Sequence, residues 1–109
     1  MPTTGDDKTM AALEAKAASV TRMLKLLANE KRILALCRLA GAGEMTVTAL
    51  ARAVALSPSA LSQHLARMRA VGLVGFRREN QTLHYFIADA QANDLLVALK
   101  EIYCPDMVA

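Results

Sequence analysis

At 109 residues the chain has room for one domain with a modest core, and a formal net charge of +3 is too small to mark a nucleic-acid binder by itself. Hydrophobic residues make up 54% but aromatics only 4%, and much of the apolar content is alanine, which favours packed helices over a sheet sandwich. No apolar run reaches the ~18 residues of a membrane span, and MPTTGDDKT lacks the basic stretch and apolar core of a secretory signal, so a cytoplasmic protein is expected.

Residues 1–9 are expected to be disordered. From Met10 a helix begins, with Met10, Leu13, Ala17, Val20, Leu24 and Leu27 recurring at steps of three and four, as in a coiled-coil seam. A seam of that length can pack internally or form a dimer surface. Asn29 can cap a second helix from Glu30 to about Ala40, whose inward stripe is Ile33, Leu36, Cys37 and Ala40 and which Gly41 and Gly43 end. Thr46 can cap a third, Val47 to about Val54, with Leu50, Ala51 and Val54 facing inward. The corner Val54-Ala55-Leu56 lacks the glycine often found in such turns.

The fourth helix organises the rest. Ser57 can cap it, Pro58 suits its first position, and it runs to about Ala70 before Gly72 stops it. Leu61, Leu65 and Met68 form one apolar stripe, while the other side carries Ser59, Ser62, Gln63 and Arg67, with His64 and Arg69 near the edge. Glutamine can pair with adenine through two hydrogen bonds, serine suits several base edges, and arginine suits guanine or phosphate. The plainer reading is the solvated face of an amphipathic helix.

The period then changes. LVGFRRE and TLHYFIA have strand character, with Leu83, Tyr85 and Ile87 alternating against Thr82, His84 and Phe86, and Glu79-Asn80-Gln81 forms the turn between them. Arg77, Arg78 and Gln81 lie near the tip of that hairpin. A last helix runs from Gln91 to about Cys104, with Leu95, Leu99 and Ile102 on one stripe and Leu96 and Tyr103 beside it. The fold expected is mainly α with a β-hairpin: a winged helix-turn-helix over residues 10–104, followed by a tail of residues 105–109.

Charge is unevenly spread. From Met45 through Arg78 there is no acidic residue but five arginines, Arg52, Arg67, Arg69, Arg77 and Arg78, whereas the remainder holds eight Lys/Arg and ten Asp/Glu. A basic island on a mildly acidic body is the footprint of a polyanion binder.

LKLLANEKRILALCRL, LSPSALSQHLARMRAVGLV and RRENQTLHYF resemble the ArsR/SmtB family of small bacterial repressors over about Val20 to Cys104. The resemblance is nearest to a branch without a metal site, the dithiol regulators SqrR, BigR and HlyU. It implies a homodimer whose first and last helices form the interface, here Leu13, Val20 and Leu24 with Leu95, Leu99 and Ile102. Each protomer would then read one half-site of an imperfect palindrome in double-stranded operator DNA, the half-sites about 34 Å apart or a multiple of that. The expected DNA-binding residues are Ser57, Ser59, Ser62, Gln63, His64 and Arg67, with Arg77, Arg78 and Gln81 from the hairpin. Arg77 and Arg78 would sit on phosphate or in the minor groove. His64 has a second reading, packing at the helix edge without touching DNA.

Metal-sensing members carry Cys-x-Cys-type ligands in the third helix or Asp/His pairs on the last. Here TVTALARAV has no thiol or imidazole, and the last helix has Asp94 and Glu101 but no histidine, so neither a metal nor any other cofactor is expected. Cys37 and Cys104 remain. Each can be an incidental or packing residue, but both match the cysteine pair of the dithiol branch. The resemblance implies redox sensing: reactive sulfur species or an oxidant, as inducer, bridges the two within one protomer by a disulfide or a longer polysulfide. Lys31, Arg32 and Arg38 are expected to make Cys37 the more reactive thiol. A repressor released by that bridge is the function expected, with a constitutive regulator or anti-silencer lacking the switch as its rival. A thiol enzyme has no support, since no Cys-x-x-Cys, Gly-rich loop or paired His/Asp accompanies either cysteine. A protein-interaction module with a basic face is the third alternative.

Overall fold

A computed structural model describes residues 4–105. Its helices are α1 (Thr4–Leu27), α2 (Glu30–Ala42), α3 (Val47–Val54), α4 (Pro58–Ala70) and α5 (Ala90–Tyr103). Its strands are β1 (Met45–Thr46), β2 (Val74–Glu79) and β3 (Thr82–Ile87), in the antiparallel order β1-β3-β2. This is the winged helix-turn-helix, with α3 and α4 as the helix pair and β2–β3 as the wing.

Local chemistry sets the boundaries. Asn29, Thr46 and Ser57 cap their helices, each side chain accepting a hydrogen bond from the N–H three residues on: Arg32, Ala49 and Ala60. Asp89, not foreseen as a cap, accepts from Gln91 and Ala92 and starts α5 one residue early, at Ala90. Gly41 lies inside α2, and it is Gly43, at φ 85°, that ends the helix, because only a residue without a Cβ enters that conformation freely. The corner between α3 and α4 is left-handed at Ala55, φ 57°, and Leu56 N–H closes it on the Ala51 carbonyl at 3.0 Å. Lys31 adds a cation to the same end of α3: its Nζ donates to the Val54 carbonyl at 2.7 Å, where the helix dipole is negative.

The core is where four helices meet the sheet. Leu36 and Leu39 of α2, Leu50 of α3, Leu61, Leu65 and Met68 of α4 and Leu96 of α5 are fully buried, with Val74 and Tyr85 beneath the wing. Leu83, Tyr85 and Ile87 pack inward, as their alternation required.

Two expectations need correction. The segment 4–9, expected to be irregular, is helical from Thr4, so α1 starts about a turn and a half before Met10; the first three residues lie outside the described part of the chain, as do the tail residues beyond Pro105. The sheet has a third strand that was missed. Met45 pairs with Tyr85 and Thr46 with His84, a ladder too short for alternation to reveal. Among the described residues no helix is long and apolar enough to cross a membrane.

Candidate nucleic-acid interface and thiol pair

α4 divides as its sequence implies. Leu61, Leu65 and Met68 are completely buried, while Ser59, Ser62, Gln63 and Arg67 are exposed on the opposite face. Ser57 is spent partly on the cap, its Oγ accepting from Ala60 N–H at 3.1 Å, which leaves its hydroxyl proton free to donate. Arg69 turns from the helix toward the wing and lies 4.2 Å over the Phe76 ring, which itself packs on Tyr85 at 5.4 Å between centroids. A cation over an aromatic face and a tilted ring pair thus fix the wing root to α4.

The wing residues do not share one fate. Arg78 and Gln81 are exposed near the tip, with Asn80 taking the positive φ of 58° that the tight turn needs. Arg77, expected on phosphate, is held by two carboxylates: Nε donates to Glu44 at 2.9 Å and Nη1 to Glu79 at 2.8 Å. These hydrogen bonds keep the Arg77 guanidinium protonated and pull the Glu79 carboxyl below its usual range. Glu44 and Glu79 are the two acids that bracket the acid-free run in the sequence. The fold closes both on the same arginine, so contact of Arg77 with a phosphate has to displace or share those partners.

His64 is half-buried at the edge of α4. Its Nδ1 accepts from Arg32 Nε at 3.1 Å, and Arg32 Nη1 donates to the Leu26 carbonyl at 3.1 Å. Burial, then the charges of Arg32 and Arg67, lower the imidazole pKa, so the neutral form is favoured. The sequence reading assigned Arg32 to Cys37 and not to His64, because His64 lies 32 residues away.

The two cysteines are unlike. Both are free thiols; Cys37 is half-buried in α2 and Cys104 is exposed at the end of α5. Lys100 stands between them. Its Nζ donates to the Cys37 carbonyl at 3.3 Å, and its own carbonyl accepts from Cys104 N–H at 2.8 Å. Burial pushes the Cys37 thiol above the ordinary range; the Lys100 ammonium opposes that, and the nearby Cys104 adds to it. The expected activation of Cys37 by Lys31, Arg32 and Arg38 is therefore corrected. Lys31 is tied to Val54 and Arg32 to His64, and the cation that acts on the thiol is Lys100, from another helix. Cys37 opens onto a shallow groove lined also by Leu34, Arg38, Met45 and Lys100. Lys100 was legible in one respect, since it precedes Cys104 by one helical turn. Among the described residues no three His, Cys, Asp or Glu side chains cluster in a way that would hold a metal ion.

Residues 29–75 match the family model described as bacterial regulatory protein, arsR family. The chain is also 41% identical over 96 residues to the HTH-type transcriptional regulator YgaV of Escherichia coli K12, covering 88% of this chain and 97% of that one. The chain belongs to the ArsR family. Among solved structures, reduced HlyU from Vibrio cholerae superimposes with a TM-score of 0.79 at 39% identity, over 85% of this chain and 97% of that one. The transcriptional repressor BigR from Xylella fastidiosa gives a TM-score of 0.80 at 32% identity, over 87% and 96%. This ArsR-family protein is thus a winged-helix transcriptional regulator and not an enzyme, and the proteins it is similar to include the HlyU and BigR regulators.

Proposed function

We propose that the protein is a homodimeric, sequence-specific repressor in the cytoplasm that leaves operator DNA when Cys37 and Cys104 become bridged. The observation that carries the switch is Lys100, whose two hydrogen bonds hold the backbones of both cysteines around one residue. A bridge there would lock α2, which carries the helix pair, to α5. A small rotation would change the spacing of two reading helices, and the fixed pitch of DNA would penalise the altered dimer. A coupling of about 1–3 kcal/mol corresponds to about 5–150-fold weaker binding.

The exposed Cys104 reacts first. With a persulfide, the Cys104 thiolate takes the outer sulfur and releases the donor's thiolate. Cys37 then attacks the Cys104 sulfur, forming the S–S bond and expelling hydrosulfide, which takes up the Cys37 proton. With peroxide, Cys104 becomes a sulfenic acid and its condensation with Cys37 releases water. Ser59, Ser62, Gln63 and His64 supply base contacts, while Arg67, Arg78 and, once freed from its carboxylates, Arg77 supply phosphate contacts. The dimer is supported by apolar side chains left in solvent: Leu13 and Leu24 are each 49% exposed and Ile102 68%.

A second reading, a constitutive HlyU-like regulator without a switch, is favoured by the raised pKa of Cys37, which suits a packing residue more than a nucleophile. The test is duplex binding before and after a sulfide donor or peroxide. Wild type should release DNA, and Cys37→Ser and Cys104→Ser should bind as before but stay bound under either reagent. Release by the variants, or retention by wild type, leaves the constitutive reading.

A further inference from the structure

Through Arg32, His64 is tied to the joint between α1 and α2. Arg32 Nε–H donates to its Nδ1 from α2, Arg32 Nη1 holds the Leu26 carbonyl in the last turn of α1, and Arg32 N–H closes the Asn29 cap between those helices. A nitrogen that accepts from a guanidinium carries no proton. The neutral ring must then carry its single proton on Nε2, the ring nitrogen that Arg32 does not engage.

We propose that Arg32 is the positioning residue that fixes His64 as a neutral Nε2–H donor toward DNA, so that the α1–α2 joint sets what the reading helix offers a base pair. The proposal rests on α4 being the DNA-reading helix. A donor meets guanine N7 or O6, adenine N7, thymine O4 or a phosphate oxygen; it cannot pair with the amino groups of cytosine or adenine. The charged groups acting on the ring are Arg32 from α2 and Arg67 from α4 itself, and α1 contributes only the Leu26 carbonyl, through Arg32. Lys31, the neighbouring cation on α2, is turned to Val54. Protonation of Nδ1 would put two cations in the place of one hydrogen bond and release Arg32 from the ring.

The tautomer is directly observable. Long-range proton–nitrogen NMR on the labelled full chain, assigned with His64→Gln, should show Nδ1 bare and Nε2 protonated at pH 7.5. Arg32→Met should erase that bias and let the imidazole titrate at a higher pH. Arg32→Lys, which keeps the charge without the Nε–H, should lose the tautomer bias while retaining the fold. On duplexes selected by wild-type protein from a random pool, Arg32→Met should relax preference at the position His64 reads by roughly three- to tenfold, one hydrogen bond's worth. It should add nothing in the His64→Gln background. A proton on Nδ1 in wild type, or an unchanged tautomer in both Arg32 variants, overturns the proposal. If Ser62→Ala and Gln63→Ala leave duplex preference untouched, the premise about α4 fails instead, and the NMR result shows which of the two has failed.

Discussion

α1 and α4 are both amphipathic helices, and they end in opposite situations. α4 buries Leu61, Leu65 and Met68 completely and turns serine, glutamine and arginine outward. α1 touches the body through Met23, Leu26 and Leu27 near its end and leaves Met10 and Leu13 about half exposed. An apolar stripe in water is a stripe waiting for a surface. The difference teaches that α4 is packed to completion within one protomer, whereas the apolar stripe of α1 is not, which is what the proposed dimer would cover. It also accounts for the elongated protomer, 53 Å in its longest dimension against 23 Å in its shortest.

The largest effect that sharpens this contrast is Leu65→Ala. Removing a fully buried leucine costs about 2–5 kcal/mol, depending on how far the site collapses. The loss should appear in urea unfolding at any protein concentration, since the contact lies within the chain. Leu24→Asp should behave otherwise. About 1.5–3 kcal/mol follows from burying one leucine side chain, and here that burial depends on the partner. The expected result is a shift toward monomer in sedimentation, a midpoint that no longer rises with concentration, and loss of operator binding. A Leu24→Asp protein that stays dimeric would break the comparison, because the stripe would then have some other cover.

How much of this was legible in the sequence depends on range. Ser57 and Pro58 announced the start of α4, and the 3.6-residue spacing of Leu61, Leu65 and Met68 announced its buried face, because both are local properties of a helix. The exposed seam of α1 was legible as apolar, but its openness was not, since a stripe reads alike whether it meets its own chain or another. The missed features are long-range. Glu44 closing on Arg77, Arg32 reaching His64 and Lys100 lying on Cys37 each join residues separated by more than 30 positions. Only the tertiary fold brings them together. The expectation for Cys37 failed for that reason: Lys31 and Arg32 bond elsewhere, and burial, which no spacing reports, dominates its pKa.

A smaller effect tests the link between the two helices. The folded chain favours neutral His64, so on acidification the unfolded chain takes up this proton first. Stability from this group is complete above the ordinary imidazole range near 6.5 and declines as pH falls through it toward the lower folded value. Urea midpoints compared at pH 7.5 and 5.5 should drop more for wild type than for His64→Gln. Working above pH 5 keeps Glu79 out of the comparison, because Arg77 holds its carboxyl lower still. An equal drop in both proteins would mean that neither burial nor Arg32 and Arg67 favour the neutral His64 ring in the folded chain.

The smallest expected effect lies at the corner that delivers α4 to its place. Ala55 sits at φ 57°, where a Cβ crowds the following carbonyl, and Arg52 and Ala51 carbonyls receive the N–H groups of Ala55 and Leu56. The conformation persists because Leu61, Leu65 and Met68 lock α4 in the core, so the turn yields to the packing and not the reverse. Glycine relieves the crowding but loosens the unfolded chain, and the two contributions oppose one another. Where φ is positive the relief is the larger, so Ala55→Gly should raise stability by about 0.5–1 kcal/mol in urea unfolding, with duplex binding unchanged. Ala55→Val, with a branched Cβ in the same crowded position, should lower it. If Ala55→Gly instead weakened duplex binding while leaving stability alone, the strain at this corner would be holding α4 at its reading angle, and the helix pair would be less complete within the protomer than its buried face implies.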